Sequence, residues 1–507
     1  MLAIMSNLLI ILYILFFFIG KMLVVRCCNG RQVQVLSHSP LLQRVTAKIS
    51  ANITKKNIVY TLFCYFWFKV GDFGCSFWQF SVILSNIIHQ YNKRMKPNTI
   101  NTLVLDNGMR AVHIPSQGTG MVYVNMLYGV GARNEDFEHT GIAHLLEHLM
   151  FDGTKAVPSF DEPLERAGGE NNAYTNNDVT CYYISLPKQN AELAFWLESD
   201  RMRNIAFNKK KVDVQRQVVI EEFKQTTLNR PYGDVSRILR AMAYKVHPYR
   251  WSTIGRCFAH IADTPVSVIR SFYNRFYAPD NAVLSVVGDI PFEQVEEWCR
   301  KWFAPIPASG FVKPQLPVEP RQTRQRRKTV YRNVPENALY MGFHMGGRLD
   351  ADYYPCDVIS DILSNGYSGR LLVRLVKEKR LFSKIDAFIS GCEDAGMFWI
   401  YSRVPDGVAM EDAEAALWAE LEQLKRELVP AEELEKVRNR FESDFTFRNL
   451  SGENLGSNVA LAAMRGNLDS HFKEPELYRA VTAEALRSAA KELFRKGNSC
   501  VLYYLTD

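Results

Sequence analysis

The sequence predicts an α+β protein made of two homologous domains, each with a mixed, mostly antiparallel sheet flanked by helices. From Thr99 onward, segments with alternating apolar residues are interleaved with segments of helical periodicity, an order typical of α+β domains. The segment VLSVVGD, residues 283–289, resembles VLYYLTD, residues 501–507, which indicates that the arrangement occurs twice. A chain of 507 residues is long enough for two such domains.

The first domain is predicted to begin with a β-hairpin. In TLVLDNGMRAVHIP, residues 102–115, two alternating strands flank Asp106-Asn107-Gly108, a turn sequence that favours hairpins. A further strand, MVYVNMLYGVGA, precedes a helix in HTGIAHLLEHLMF. The elements predicted after this helix are a strand (TCYYISLP), three helical segments (NAELAFWLESDRMRN, KKVDVQRQVVIEEFKQTTLN and VSVIRSFYNRFY) and a closing strand (NAVLSVVGD).

The second domain is predicted to repeat this order. Its opening segment ALYMGFHMGGRLD is similar to VYVNMLYGVGARNE of the first domain, and a strand-like MFWIYSRV lies between helical segments. Chance similarity between two strands that end in aspartate is the alternative, but the shared order of elements favours duplication. Residues 304–328 contain five prolines and then a basic run, which indicates a linker with a solvated basic connector. We therefore place the domains at 96–303 and 329–507.

Residues 1–95 form a leader that differs from the rest of the chain. Residues 1–25 are apolar and long enough to span a bilayer, but no Lys or Arg precedes them and no cleavage site is clear, which argues against a signal peptide. Positive charges follow the run, so a genuine anchor would leave the body in the cytoplasm. We favour non-native upstream translation, with Met95 as the natural start; a membrane segment is expected only if the leader is genuine.

Charge and cysteine usage narrow the class of protein. Residues 1–95 contain ten Lys/Arg and one Asp, a charge of +9, so the net charge of +7 leaves −2 for residues 96–507. A body of this charge gives no electrostatic reason to expect nucleic acid as a partner. Six of the ten cysteines are scattered singly through the body without CxxC spacing, which favours reduced thiols and a cytoplasmic location.

The segment GIAHLLEHLMFDGT places His144, Glu147 and His148 within five positions. On a helix, positions four apart lie on one face, so both imidazoles can reach one ion while Glu147 projects beside them. Two imidazoles suit zinc, which lowers the pKa of a water whose proton a nearby carboxylate can take. The alternative is a polar helix edge or a pair of core histidines. Apolar residues at the other helix positions favour an enclosed site, because they would bury this helix: Leu145, Leu146, Leu149 and Met150.

Glu222 is the candidate for a third ligand. In VDVQRQVVIEEF the helical period places it on one face with Gln215, Val218 and Val219. An unpartnered carboxylate among apolar neighbours is costly, and a metal ion would compensate for its burial. The alternative is an ordinary exposed glutamate beside Glu221.

Several segments together resemble the pitrilysin/insulysin family of zinc peptidases, in order and at the expected spacing. They are GVGARNEDFEHTGIAHLLEHLMFDGT, GGENNAYTNNDVTCYYISLP, QRQVVIEEF, HPYRWSTIG and FYNRFYAPDNAVLSVVGD. The length and the duplicated layout resemble the short branch that includes mitochondrial processing peptidase, and the similarity covers roughly residues 99–507. The resemblance implies that His144, His148 and Glu222 bind one zinc ion per chain and that Glu147 is the general base. It also implies a catalytic first domain and a non-catalytic second domain.

The resemblance also implies how substrate and partner chains are bound. In the family a strand edge beside the metal receives the peptide as an added β-strand, so backbone groups near Asn172, Ala173 and Thr175 are expected to pair with substrate. An ordinary Asn/Gly turn is the alternative for each of these residues. Two-domain units of the family pack in pairs around a chamber, which implies a homodimer or a heterodimer with a related subunit.

Two departures from the family pattern affect these expectations. The family commonly has a glutamate seven residues before the metal glutamate, and here that position is Gln215, which can lie near the site but supplies no charge. Gln215 and Glu221 are expected to support the site from outside the ligand set. The second domain of the family often carries an Arg and a Tyr seven apart, yet no tyrosine stands at this spacing from Arg370, Arg374 or Arg380. We expect a partner chain to supply this pair.

These observations predict a zinc endopeptidase that hydrolyses peptides or unstructured segments. The principal alternative is a non-catalytic scaffold subunit of a two-chain peptidase with the same fold. The intact set of His144, Glu147, His148 and Glu222 argues against this alternative. A membrane-anchored assembly factor is a third hypothesis, and it depends on the leader being genuine.

Overall fold

The structure is a computed structural model that describes residues 24–28, 32–36, 100–116 and 118–507. The chain divides into two compact units, residues 1–84 and 85–507. In the first unit, β1 (Val24–Cys28) pairs antiparallel with β2 (Gln32–Leu36). The other predictions for the leader, a membrane segment and upstream translation, fall on residues outside this description. Among the described residues, no helix is long and apolar enough to cross a bilayer.

The first half of the second unit is built around a six-stranded sheet in the order β3-β4-β8-β5-β7-β6. Its strands are β3 (Asn101–Val104), β4 (Arg110–Pro115), β5 (Met121–Tyr128), β6 (Glu170–Thr175), β7 (Thr180–Pro187) and β8 (Ala282–Gly288). All neighbours are antiparallel except β4 and β8. The predicted hairpin is present as β3–β4, and Gly108 in its turn has φ = +84°, a value that favours glycine.

Eight helices belong to this half by sequence. They are α1 (Ile142–Phe151), α2 (Asp161–Arg166), α3 (Glu192–Asn204), α4 (Lys209–Phe223), α5 (Val235–Ala243), α6 (Phe258–Asp263), α7 (Val266–Phe276) and α8 (Phe292–Trp302). Apolar residues of α1, α3 and α4 pack with one face of the sheet in a single core. This core buries the apolar side of α1, as the periodicity of that segment predicts.

The second half contains a five-stranded sheet in the order β9-β13-β10-β12-β11. Its strands are β9 (Arg326–Arg332), β10 (Ala338–His344), β11 (Lys384–Ser390), β12 (Met397–Arg403) and β13 (Ser499–Thr506). Its helices are α9 (Tyr353–Ser364), α10 (Met410–Arg426), α11 (Ala431–Arg448), α12 (Gly452–Met464), α13 (Asp469–Arg479) and α14 (Ala483–Leu493). The order equals that of the first sheet without β3, and β9–β13 is parallel just as β4–β8 is. The predicted fold class, two homologous α+β domains, is confirmed.

Each half contributes one helix that packs on the sheet of the other half. Helix α12 from the second half places Val459 and Ala460 in a core with β4, β5 and β8 of the first sheet. Helix α5 from the first half packs Ile238 and Leu239 in a core with β9, β10 and β13 of the second sheet. The two halves are therefore interlocked through apolar cores.

The segment predicted as a linker has two parts. Residues 304–325 contain no helix or strand, whereas 326–328 already belong to β9. The interpretation of the basic run as a solvated connector is wrong for Arg326, which is half-buried, whereas Arg327 is exposed and has an ion-pair partner. Arg326 donates to carbonyl oxygens at the carboxyl end of α5, and Arg327 forms an ion pair of 2.7 Å with the largely buried Glu414. The basic residues gain these partners only once β9 has joined the sheet, so their role was not visible in the sequence.

We predict that Gly456→Ala destabilises the protein. A methyl group at position 456 would lie 2.1 Å from Nδ2 of Asn125, which is fully buried on the central strand β5 and cannot withdraw into solvent. Overpacking of this kind costs about 1–3 kcal/mol, more than the ~1 kcal/mol that alanine gains over glycine in a helix. Urea denaturation should therefore give a lower free energy of unfolding.

Ser457→Ala is the matched control for this change. It removes the 3.1 Å hydrogen bond from Ser457 to Asn125 Oδ1 without adding volume, and it should cost about 1 kcal/mol. A Gly456→Ala protein as stable as the wild type would show that α12 does not pack this closely on β5.

Candidate metal centre

Three side chains from two helices converge on one point. His144 and His148 project from α1, and Glu222 projects from the last turn of α4. The Nε2 atoms of His144 and His148 lie 3.7 Å and 3.5 Å from the same oxygen, Oε2 of Glu222. All three candidate ligand atoms lie within 4.8 Å of one another. The structure thus brings together the three residues that the sequence indicated as ligands.

The donor set fits a zinc ion. Bonds of about 2.0–2.2 Å in a tetrahedral arrangement place ligand atoms about 3.4 Å apart, close to the distances between these imidazoles and the carboxylate. Burial lowers the pKa of His144, which favours the neutral imidazole. A hydrogen bond from His148 is the main cause of the lowered pKa of Glu222, which favours its carboxylate form. Neutral imidazoles and a carboxylate are the protonation states that bind a divalent cation.

A buried carboxylate supports the start of α1. Oε2 of Glu135 accepts hydrogen bonds from the backbone N–H of Gly141 and from the indole N–H of Trp251, at 2.9 and 3.1 Å. Oε1 accepts from the N–H of Ala143 at 2.9 Å. Burial raises the pKa of Glu135, and the N–H donors oppose this effect. The two oxygens of Glu135 thus satisfy N–H groups at the N-terminus of α1, which have no partner within the helix. Glu135 therefore helps to set the position of both histidines.

Helix α4 carries Glu222 at a change of backbone geometry. The helix begins with Asn208, whose side chain accepts from the N–H of Lys210, and it continues into a π-helical segment, Lys224–Leu228. Such segments are rare and often occur at functional sites. The expectation that Glu222 has apolar neighbours on its face holds for Val219, which is buried, but is wrong for Val218, which is 45% exposed.

Glu147 lies on α1 between the two histidines in sequence, and its side chain is half-buried. Its Oε2 accepts a hydrogen bond of 2.5 Å from the hydroxyl of Thr175, the last residue of β6. Thr175 also lies 3.3 Å, oxygen to oxygen, from Thr180 at the start of β7. The side chain of Thr175, for which the sequence predicted only backbone pairing with substrate, thus contacts the candidate base.

Strand β6 forms one edge of the first sheet. Among the described residues it pairs only with β7. Asn172 on this strand is exposed, and its Oδ1 accepts from the N–H of Ala173 at 2.8 Å. The side chain of Ala173 packs against the core that contains α1. The edge predicted to receive substrate therefore lies next to the helix with the two histidines.

The remaining predicted residues have other polar partners, or none in the described part of the chain. Glu221 points into solvent and pairs with Lys224 at 2.6 Å. Gln215 lies two turns before Glu222, is half-buried, and its side chain hydrogen-bonds to no described residue. Arg370 pairs with Glu433 and Arg374 with Glu420, at 2.5 and 2.7 Å. In the described part of the chain, neither Gln215 nor Glu221 makes a polar contact with the histidines.

Sequence reasoning missed a charged cluster beside the site. Arg133 contacts Asp178 at 3.0 Å and Asp394 at 3.2 Å, and Asp178 also accepts from the hydroxyl of Tyr249 at 2.5 Å. Arg133 and Glu135 belong to the same short loop before α1, so this loop contacts both halves of the fold. Arg133 and the two aspartates that it contacts are far apart along the chain, so no local sequence pattern predicted these contacts.

Comparisons with known proteins show which family the chain resembles. The sequence model of insulinase, peptidase family M16, matches residues 111–255, and that of the peptidase M16 inactive domain matches residues 266–441. The zinc protease PqqE of Helicobacter pylori is 28% identical, with 79% of this chain and 92% of that protein covered. The uncharacterized zinc protease YmxG of Bacillus subtilis is 26% identical, covering 80% and 98%.

Solved structures show the same fold. A protease from Helicobacter pylori superposes with a TM-score of 0.75 at 28% identity, covering 80% of this chain and 99% of that one. Pitrilysin superposes with a TM-score of 0.67 at 18% identity, covering 81% of this chain and 45% of that one.

We predict that Glu222→Gln weakens zinc binding by more than about 100-fold, because even groups that only support a ligand are worth about 10–100-fold in affinity. Glu221→Gln is the matched control on the same helix, and it should leave affinity unchanged, since Glu221 faces solvent. Competition titration against a chelator measures both constants. Equal affinity in the two variants would mean that Glu222 is not a ligand.

Substitution of Glu135 tests whether this side chain supports the start of α1. Glu135→Gln should lower the free energy of unfolding by about 2–4 kcal/mol, because an amide cannot accept from all the N–H donors that surround the carboxylate. It should also weaken zinc binding through displacement of α1. Glu138→Gln, at an exposed position of the same loop, should change neither quantity. Denaturation and metal titration on both variants test this role.

Proposed function

The chain belongs to the insulinase family, peptidase family M16, and on this premise we propose that it is a zinc-dependent endopeptidase that hydrolyses peptides or unstructured segments. The relatives named above are called zinc proteases, which supports a zinc peptidase. The observation that carries the proposal is the convergence of His144, His148 and Glu222. Glu147 directly precedes His148 on α1. No other group of metal-ligating side chains of this kind occurs among the described residues.

His144, His148 and Glu222 would hold the zinc ion, and three protein ligands leave one position for a small molecule. The ion would supply Lewis-acid chemistry, which polarises a peptide carbonyl and makes a water more acidic. The convergent side chains are partly shielded from bulk water, since those of His144, His148 and Glu222 are 14%, 24% and 38% exposed. Electrostatic effects are stronger in such an environment than in water.

Glu147 would act as the general base. It lies on the same helix as the histidines, and a carboxylate at this place takes a proton from the attacking water and passes it to the leaving amine. Helix α1 fixes the position of Glu147 relative to the histidines, because Glu147 directly precedes His148.

The open edge of β6 would bind the peptide as an added strand. Backbone groups near Asn172, Ala173 and Thr175 would pair with the substrate, which explains a broad specificity, because main-chain hydrogen bonds carry little side-chain information. The contact between Asn172 Oδ1 and the N–H of Ala173 would then be exchanged for one with the peptide. Folded proteins cannot offer a free strand, so flexible peptides are the expected substrates.

A second chain would complete the active unit, as a homodimer or a heterodimer with a related subunit. Arg370 and Arg374 are held in ion pairs with carboxylates, and neither these two nor Arg380 has a tyrosine seven residues later, which supports a partner chain as the source of the Arg/Tyr pair. Gln215 would stand where the family has a glutamate, so its effect on metal affinity is a further part of the proposal. All six cysteines described are free thiols, which supports a reducing compartment.

A non-catalytic scaffold subunit is the alternative function. The family model for an inactive domain favours it only for residues 266–441, which lie outside the segment with His144, His148 and Glu222. A scaffold would need none of these polar side chains to converge, and partial burial of His144 and His148 has a cost without a ligand.

We predict that Glu147→Gln abolishes peptide cleavage while zinc is retained. Loss of a general base lowers kcat by about 100- to 10,000-fold, whereas the three ligands stay unchanged. The measurement is cleavage of an unstructured fluorogenic peptide, together with the zinc content of each protein. Glu138→Gln is the control and should cleave at the wild-type rate.

The same assay tests the scaffold alternative. A wild-type chain that binds one zinc ion but stays inert, both alone and after mixing with a related subunit that carries the Arg/Tyr pair, would support the scaffold role. Restored cleavage in the mixture would support the heterodimer.

A further inference from the structure

The hydroxyl of Thr175 is the one polar group of the described chain that hydrogen-bonds to Glu147. Its Oγ1 lies 2.5 Å from Oε2 of Glu147, across the contact between β6 and α1. The two residues are 28 positions apart, so only the packing of the strand against the helix brings them together. The contact involves the side chain of Thr175, whereas the proposed pairing with substrate involves the backbone of β6.

Proton counting shows which atom donates in this contact. A threonine hydroxyl carries one proton and a carboxylate carries none. The proton of Thr180, a fully buried residue, is donated to the carbonyl oxygen of Val130 at 2.9 Å. Thr180 therefore has no proton left for Thr175, which lies 3.3 Å away, oxygen to oxygen. Thr175 is consequently the donor and Glu147 the acceptor.

This hydrogen bond makes the two oxygens of Glu147 unequal. Oε2 is held by Thr175, while Oε1 makes no hydrogen bond to any described residue. A general base needs one free oxygen aimed at the water proton and a fixed orientation of its carboxylate plane. We propose that Thr175 is a positioning residue that holds Oε2 of Glu147 and leaves Oε1 to take the proton. This inference rests on the proposed peptidase function.

The backbone around Thr175 is well fixed for such a task. Thr175 is paired with Thr180 in the β6–β7 register, and the turn between them is closed by Asn176, whose side chain accepts from the N–H groups of Asp178 and Val179. Asp178 is in turn bound to Arg133. The hydroxyl is therefore presented from a rigid element, and this limits the entropy lost when Glu147 is oriented.

A purely structural role is the competing explanation. In that case the hydroxyl only satisfies a half-buried carboxylate, and its loss would lower stability or metal affinity. A positioning role affects the chemical step instead, so kcat falls while KM and zinc affinity stay close to the wild-type values.

Thr175→Val and Thr175→Ser separate the two roles in the full-length, zinc-loaded protein. Valine keeps the shape but removes the donor, and serine keeps the donor. We expect Thr175→Val to lower kcat by about 10- to 100-fold, a part of what a general base contributes, with KM and chelator-measured zinc affinity nearly unchanged. Thr175→Ser should restore most of kcat. Thr323→Val, at an exposed position far along the chain, is the control and should behave as wild type.

A double-mutant cycle sharpens the result. In a Glu147→Gln background, Thr175→Val should have no further effect on residual cleavage, because the group that it positions is already lost. The proposal is overturned if Thr175→Val keeps kcat within twofold of wild type, if serine fails to restore kcat, or if kcat falls only in proportion to zinc affinity.

Crystal structures separate failure of this inference from failure of the proposed function. If the wild-type chain cleaves no peptide, both alone and mixed with a related subunit that carries the Arg/Tyr pair, the peptidase function fails, but the hydrogen bond can still be examined in zinc-loaded crystals. The Glu147 carboxylate should occupy one orientation in the wild type and a different or mixed orientation in Thr175→Val. The same single orientation in both proteins would overturn the positioning role.

Discussion

The carboxylate of Glu135 is the contact on which the geometry of the site depends. Helix α1 has only ten residues, too few for a helix to be stable by itself, and three of them are polar groups directed to the site. The N–H groups of Gly141 and Ala143 at its start are satisfied by this one buried side chain. The loop that carries Glu135 also carries Arg133, which binds Asp178 near β6 and Asp394 in the second half. One short loop thus contacts the start of α1, the turn after β6 and the second half of the fold.

The exchange of helices explains how two duplicated halves form one unit. Helix α12 covers the first sheet and α5 covers the second, so neither half buries its own sheet completely. Polar contacts reinforce the exchange, since Arg332 pairs with Asp234 just before α5 and Arg110 donates to the carbonyl oxygen of Ala463 in α12. Buried apolar area provides most of the stability of such interfaces. The ion pairs chiefly determine how the two halves are oriented.

Local patterns in the sequence predicted the parts of the site that depend on one helix. His144, Glu147 and His148 lie on one face because of helix geometry alone, and Glu222 followed from its pattern and from the family resemblance. Features that depend on tertiary packing were not predictable. They are the hydrogen bonds from the start of α1 to Glu135, the hydrogen bond from Thr175 to Glu147, and the exposure of Val218. The repeated order of elements along the chain was predictable, whereas the order of strands within each sheet and the exchange of helices were not, because amphipathic faces do not reveal which sheet they cover.

The second half has the same fold as the first half but no histidine pair on the corresponding helix. Helix α9 follows β10 and packs on β11, just as α1 follows β5 and packs on β6. Its apolar face is retained, yet it carries Asp357 and Asp361 and no imidazole, and burial raises the pKa of Asp361 to about 6. Sheet and helix need only that apolar face to pack, so the fold forms there without metal-ligating histidines on the helix. What the second half provides is Asp394 for Arg133 and α12 for the first sheet, and both of these contacts hold the elements that surround His144 and His148.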